Sequence, residues 1–294
     1  MCNLLSEEDL SFADNILFII GNGFDISHDI ESSYEDFYNY LVDNRKSDLL
    51  FFLEDFFNSE TLWSDFENTL GEYDEESILD VCRPDEPIDF DHYMRSTAAI
   101  EDSPSAILAP TLEELKREFT NWVNSISLDG IEMKFGNVSP SSQYLTFNYL
   151  ETLETIYHVP SKRVFHIHGS RLDRNDYIFG HNNFRRNACE GEDIPHYEEE
   201  AFIDIINMMN EFVKDYKHNI RQCPLFHTPL QTIKKIVVVG HSLSEIDKPY
   251  FIKIQELINP QTPWFISCHS DNDFHSIEQK CRDLQINNYD LFKI

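Results

Sequence analysis

A chain of 294 residues with 41% hydrophobic and 13% aromatic residues carries enough apolar material for a real core, which excludes a disordered chain. Its 23 Lys+Arg against 53 Asp+Glu give a formal net charge of -30, which repels a phosphate backbone and argues against non-specific DNA or RNA binding. The six cysteines (Cys2, Cys82, Cys189, Cys223, Cys268, Cys281) form no C-x-x-C pair, which argues against a zinc finger and against a secreted disulfide scaffold.

In chain order, residues 1–14 hold Glu7, Glu8, Asp9 and Asp14 but no Lys or Arg, unlike a signal peptide. No apolar run approaches the roughly 20 residues a spanning helix needs. The expectation is a soluble, reduced, cytoplasmic protein without a membrane partner. The run 16–20, all apolar and ending at Gly21, predicts a strand buried on both faces. From 32 to 126 the texture is acidic, Phe-rich and helical, with apolar residues at three- and four-residue spacing near 33–43, 47–57 and 111–126. Between these, 74–110 contains Pro84, Pro87, Pro104 and Pro110 and reads as irregular.

Strand-like runs resume at 143–147, 163–167 and 177–179, with a helix-like stretch from Tyr149 to Glu154. A charged amphipathic helix is expected over 198–219, a buried strand over 236–239, a helix near 246–258 and a strand at 263–268. This order predicts an α/β fold: one domain over 1–294 with a Rossmann-like, mostly parallel sheet and a helical insertion over 32–126 after the first strand. The acidic, aromatic insertion suits a cover over a site or a surface for self-association into a homo-oligomer. There is no internal repeat and no low-complexity tract.

Four polar or small-residue turns follow strand-like runs, and in an open α/β sheet such turns gather along one carboxyl edge where ligands bind. Gly21-Asn22-Gly23-Phe24-Asp25 would let backbone amides approach phosphate oxygens, although Ile26 stands where the third glycine of G-x-G-x-x-G would fall. Asn148 can hold a ribose hydroxyl or orient a water, or simply cap the next helix. His166 and His168 alternate around Ile167, so on a continuing strand both would face one side, as a metal pair or as a base with a partner. Asp25, His181, His241 and Asp247 could complete a metal set, but no full metal signature is present, and His168 beside Gly169 and Ser170 is the simpler arrangement. Gly240-His241-Ser242 forms another such turn, with Glu245 placed for a capping box on Ser242. G-H-S-L-S lacks the second glycine of a hydrolase elbow. The only basic cluster, Arg171, Arg174, Arg185 and Arg186, is interrupted by Asp173 and Asp176.

Gly-Asn-Gly-Phe-Asp, Ser33-Tyr34-Glu35-Asp36-Phe37, Phe147-Asn148-Tyr149-Leu150-Glu151-Thr152-Leu153-Glu154, His166-Ile167-His168-Gly169, Phe179-Gly180-His181-Asn182 and Gly240-His241-Ser242-Leu243-Ser244-Glu245-Ile246-Asp247 together resemble the AbiH family, linked to bacteriophage abortive infection. More distantly, the same order is similar to the sirtuin-like NAD-binding fold. Sirtuins have G-A-G-x-S at Gly21 to Asp25, T-Q-N at Thr146 to Asn148, H-G-S at His168 to Ser170, F-G-E at Phe179 to His181 and G-T-S at Gly240 to Ser242. Asp36-Phe37 lies further from Gly23 than its sirtuin counterpart, Tyr38 replaces an arginine, and the zinc-binding cysteines are missing. These departures point away from peptide deacetylation and toward defence-associated sirtuin-like proteins that hydrolyse NAD.

The resemblance implies Asn148 and His168 as catalytic residues, flanking the nicotinamide ribose. It implies NAD contacts from Gly21, Asn22, Gly23, Phe24, Asp25, Gly169, Ser170, Gly240, His241, Ser242 and Asp247, with NAD as substrate, no metal, and a phage trigger or protein partner. Two other readings stand beside it: a nucleotide sensor that binds without cleaving, and a metal-dependent phosphoesterase or nuclease using the H-x-H pair.

Overall fold

The computed structural model describes residues 15–83, 88–136, 138, 141–172, 177–186 and 195–293. Ile16–Ile20 forms β1 because five consecutive Ile, Leu and Phe side chains suit a pleated surface covered on both sides, and all five are buried. It pairs in parallel with β2 (Gln143–Thr146) and with β4 (Lys235–Val239), so it is a central strand. β3 (Val164–His166) lies outside β2, while β5 (Trp264–Cys268) and β6 (Tyr289–Lys293) extend the sheet beyond β4. The result is a mixed α/β protein with a six-stranded, all-parallel, Rossmann-like sheet of order β3-β2-β1-β4-β5-β6.

Alternation along the strands divides the core in two. Leu17, Ile19, Leu145, Ile236 and Val238 enter one cluster with Tyr250, Phe251 and Ile254 of the helix Lys248–Leu257. Ile16, Phe18, Ile20, Tyr144, Val237 and Val239 enter the other, with Phe24, Leu153 and Tyr157. Each such fully buried side chain stabilises the fold by about 1.5–3 kcal/mol before entropy is set against it.

Because every strand is parallel, the chain leaves all of them at the same edge. It steps from β1 to β2 and β3 on one side, then returns to β4 and continues outward on the other. The reversal therefore falls between β1 and β4, where the crevice of an open α/β sheet binds its ligand.

The chain divides into two compact units. The first holds the sheet and comprises residues 1–33, 123–178 and 215–294. The second comprises 34–122 and 179–214. Its helices include Tyr34–Asp43, Ser47–Phe56, Glu75–Cys82, Tyr93–Glu101 and His196–Asn210. Phe37 and Trp122 pack with centroids 5.1 Å apart, and Phe119 stacks on Phe179 at 4.1 Å, so these four buried aromatics belong to the core of this unit. The Phe179-Gly180-His181-Asn182 stretch is a structural corner of the same unit. The His181 ring donates through Nε2 to the Met209 carbonyl at 3.2 Å and accepts the Asn183 amide at 3.2 Å. Gly180 takes φ +133, where an added Cβ would lie 2.0 Å from the Phe212 carbonyl oxygen.

The structure corrects several local expectations. The stretch 74–110 is largely helical: Glu75–Cys82 is started by Asp74, whose side chain accepts the Glu76 amide, and Pro110 lies within the helix Ser103–Ser125. Residues 84–87, with two of the prolines, lie outside the described residues. Residues 177–179 form no strand, and the long helix expected over 198–219 is two helices, His196–Asn210 and Tyr216–Gln222. β6 and the helix Asp271–Asp283 were not anticipated. The four described cysteines, Cys82, Cys223, Cys268 and Cys281, are buried thiols outside any disulfide, and no described helix is long and apolar enough to cross a membrane.

Candidate functional site

The turns after β1 and β4 meet, and their glycines serve that meeting. Gly23 donates its amide to the Gly240 carbonyl at 2.8 Å, and Gly21 donates to Val239 at 3.0 Å. A Cβ on Gly21 would fall 2.6 Å from the Gly240 oxygen, and one on Gly240, at φ +67, would fall 2.1 Å from the Phe24 nitrogen. The amides of Phe24 and Gly240 are also used, by the Gly21 carbonyl and by Ser267 Oγ. These glycines thus have a packing role, and the amides expected to face phosphate are donated to the protein in this conformation. The Phe24 side chain is core, packed against Tyr157 and His28, while Asn22 exchanges hydrogen bonds with Ser32.

The first polar cluster forms where the short helix Asn22–Ser27 faces the exit of β2. Asp25 is 1% exposed, and burial pushes its carboxyl from 3.8 up to about 7, partly offset by the nearby Thr152 and Asn148 side chains. Asn148 donates through Nδ2 to the Gly21 carbonyl at 3.1 Å. Asn148 is not a helix cap: the next helix, Thr152–Thr155, begins at Thr152 with Glu151 preceding it. His166 donates through Nδ1 to the Asn148 carbonyl at 2.9 Å, and its Nε2 faces Glu154 Oε1 at 3.2 Å. Three buried oxygens here, Asp25 Oδ1, Asn148 Oδ1 and Thr152 Oγ1, have no hydrogen-bond partner among the described residues. Thr152 is close enough to steady the carboxyl without hydrogen-bond geometry to it.

The second cluster belongs to His168, His241 and Asp247, all buried. The Leu243 amide donates to His241 Nδ1 at 2.9 Å, which leaves the His241 proton on Nε2, facing Asp247 Oδ2 at 3.3 Å. Ser244 Oγ donates to the same carboxylate oxygen at 3.1 Å. The other oxygen, Oδ1, lies 3.6 Å from His168 Nε2. Asp247 therefore faces two imidazoles, one from each oxygen, with His241 the closer. Phe147 meets both rings edge-on, with centroids 5.3 Å from His168 and 4.4 Å from His241. A carboxylate so placed can hold an imidazole in orientation.

The H-x-H expectation is corrected by this division. β3 ends at His166, and the chain turns through Ile167 and His168 into Gly169 at φ +88. His166 consequently joins Asn148 and Glu154, while His168 joins Asp247 and Tyr250. The two imidazoles do not converge, and among the described residues no group of three or more His, Cys, Asp or Glu side chains is placed to hold a metal ion. His181 belongs to the second compact unit.

Of the remaining expected site residues, Ser170 is buried with its hydroxyl accepting the Leu172 amide at 3.2 Å, and Gly169 supplies the turn. Ser242 is exposed and forms no capping box, since the helix it was to cap starts only at Lys248. A capping box does form elsewhere, between Ser270 and Asp273. Arg171 is held by Glu151 in a two-point ion pair at 2.8 Å, and Arg185 pairs with Glu75 and lies over the Tyr73 ring. Both guanidinium groups are thus matched by carboxylates; Arg174, Asp173 and Asp176 lie outside the described residues. Thr152 and Glu154 were missed as site residues because the helix-like reading of 149–154 gave them no direction.

A family model described as "Bacteriophage abortive infection AbiH" matches residues 17–268, a span that takes in both clusters. No curated protein and no solved structure matches the chain.

Proposed function

We propose, from the premise that the chain belongs to the bacteriophage abortive infection AbiH family, that it serves antiphage defence by binding NAD at the carboxyl edge of its sheet and hydrolysing the nicotinamide–ribose bond. The observation that carries this reading is the pair of buried proton-handling clusters beside the reversal between β1 and β4. A nucleotide-sized crevice is expected at that place in an open parallel sheet, and the buried Asp25 carboxyl, raised by desolvation, favours chemistry over packing alone. The sirtuin-like order of motifs in the sequence favours NAD among nucleotides.

The reaction asks little of a leaving-group acid. When the bond from the pyridinium nitrogen to ribose C1′ breaks, the nitrogen takes the electron pair and nicotinamide departs neutral. The protein must steady an oxocarbenium-like ribose and deliver water. His168, which faces Asp247 Oδ1 at 3.6 Å, is assigned to a ribose hydroxyl as general base, assisting electron donation toward C1′. Asn148, fixed through its Nδ2 on Gly21, is assigned to positioning on the opposite side. Base catalysis of this kind is worth about 10²- to 10⁴-fold.

The test is incubation of the pure protein with NAD, with and without EDTA, following nicotinamide release and NAD binding. Nicotinamide release that is indifferent to EDTA is the expected result. Binding without turnover would replace hydrolysis by a sensing role, and EDTA-sensitive phosphoester cleavage would overturn the reading.

A further inference from the structure

The cluster around Asp25 contains more than the NAD reading has used. Asp25 Oδ1, Asn148 Oδ1 and Thr152 Oγ1 come from three separate segments, the helix Asn22–Ser27 after β1, the exit of β2 and the start of the helix Thr152–Thr155. Their side chains are respectively 1%, 5% and 2% exposed as residues, and none of the three oxygens has a protein partner among the described residues. A buried polar oxygen left unpaired costs about 1–3 kcal/mol. Thr152 and Asn148 lie close enough to Asp25 to lower its carboxyl, yet without hydrogen-bond geometry on these atoms, so an occupant that hydrogen-bonds to all three would be favoured. Two of the three accept only, or accept while ionised, and the hydroxyl of Thr152 both accepts and donates. The occupant must therefore donate at least two hydrogen bonds, accept one, and be small enough for an enclosed place. Water satisfies all of this, and buried waters ordinarily make about three such bonds.

We propose that these three oxygens hold the hydrolytic water, and that Asp25 is the catalytic residue that takes its proton. The inference rests on the NAD-hydrolase reading and extends it by giving the water a place and a base distinct from His168. Asp25 Oδ1 accepts one proton of the water while the water oxygen forms the bond to ribose C1′. The C1′–N bond breaks with its electron pair going to nicotinamide, and Asp25 afterwards releases the proton to solvent. Water and NAD thus give ADP-ribose, nicotinamide and one proton. Asn148 Oδ1 and Thr152 Oγ1 hold the water so that its lone pair, rather than a proton, faces the ribose. A carboxyl whose burial raises it toward neutrality is suited to this, being ionised often enough to accept and basic enough to pull. His166 is a positioning residue in this arrangement, because its Nδ1 bond to the Asn148 carbonyl fixes the backbone that carries the amide.

The experiment combines a high-resolution crystal structure of the full chain with NAD kinetics of the wild type, Asp25→Asn and Thr152→Val. The expected structure shows an ordered water within hydrogen-bond distance of all three oxygens. Asp25→Asn is expected to lower kcat by about 100-fold or more with KM little changed, and to remove the acidic limb of the pH–rate profile. Thr152→Val, which keeps shape and removes one hydrogen bond, is expected to lower kcat by about tenfold with the limb retained. It serves as the readout should Asp25→Asn fail to fold. A dry pocket, or wild-type kcat and pH profile in either variant, overturns the proposal while leaving the NAD reading intact. A wild type that never cleaves NAD overturns that reading and the catalytic role with it, while the crystallographic water still decides whether the pocket is a water site.

Discussion

Gly23 donates its amide to the Gly240 carbonyl at 2.8 Å, which ties the turn after β1 to the turn after β4. The tie lies at the reversal of strand order, so the crevice wall is made by two glycine turns pressed together. Gly240 is left-handed at φ +67, and a methyl group there would fall 2.1 Å from the Phe24 nitrogen. Gly240→Ala is therefore expected to cost several kcal/mol, well beyond the ~1 kcal/mol of conformational strain alone. Gly130 is the control, left-handed at φ +77 with nothing within 4 Å of its added Cβ. Urea unfolding should show a small loss for Gly130→Ala and a large one for Gly240→Ala; equal losses would contradict the interlocked turns.

The division of the two histidines gives a kinetic prediction. His168→Ala is expected to lower NAD turnover by about 100-fold or more while leaving NAD affinity nearly intact, since a base acts in the transition state. His166→Ala removes bonds to the Asn148 carbonyl and to Glu154, and should lower the Tm while reducing turnover less. Kinetics and thermal melts of both variants separate these effects. Equal loss from both histidines, restored by added divalent metal, would replace NAD hydrolysis by a metal mechanism.

Asp25 predicts a pH dependence of stability with a definite sign. Its carboxyl titrates at about 7 in the fold against 3.8 when unperturbed, burial being the main cause. A folded pKa above the unfolded one means that the native state binds the extra proton. The stabilising contribution is fully present below about pH 4, declines as pH rises, and is gone above about 7. At one pKa unit per 1.36 kcal/mol, the ionised group costs the fold on the order of 4 kcal/mol at alkaline pH. Asp25→Asn should accordingly raise the urea midpoint relative to wild type much more at pH 8.5 than at pH 5. A difference that stays constant between those pH values would show that Asp25 titrates normally.

The second unit offers a stability test independent of catalysis. Lys214 is paired with Glu67 at 2.8 Å, and the lysine side chain is almost wholly buried. Lys214→Met leaves the Glu67 carboxylate without its cation in a partly desolvated place, and is expected to destabilise by about 3–5 kcal/mol. The double variant Lys214→Met with Glu67→Gln should recover much of that loss. A single variant as stable as wild type would show that the pair contributes nothing.

The sequence by itself determined the central strands and the class of fold. Ile16–Ile20 and Lys235–Val239 are runs whose β-branched residues admit a buried parallel strand, and the polar turns that follow them mark the carboxyl edge. β6 escaped notice because Tyr-Asp-Leu-Phe-Lys mixes polar and apolar residues, as an edge strand does when one side meets solvent. Only the tertiary structure decided what the turn residues do. A carboxylate in a Gly-Asn-Gly-Phe-Asp turn reads as a ligand-facing group at the carboxyl edge, whereas the helix Asn22–Ser27 carries Asp25 into a buried place beside Asn148 and Thr152. His166 and His168 read as one pair because a strand period of two was extended past the true end of β3. Periodicity reports how a segment meets its immediate neighbours. It cannot report that positions 25, 148 and 152, or 168, 241 and 247, share a desolvated space, because parallel pairing of distant strands creates that space and removes the water that would otherwise satisfy each group alone.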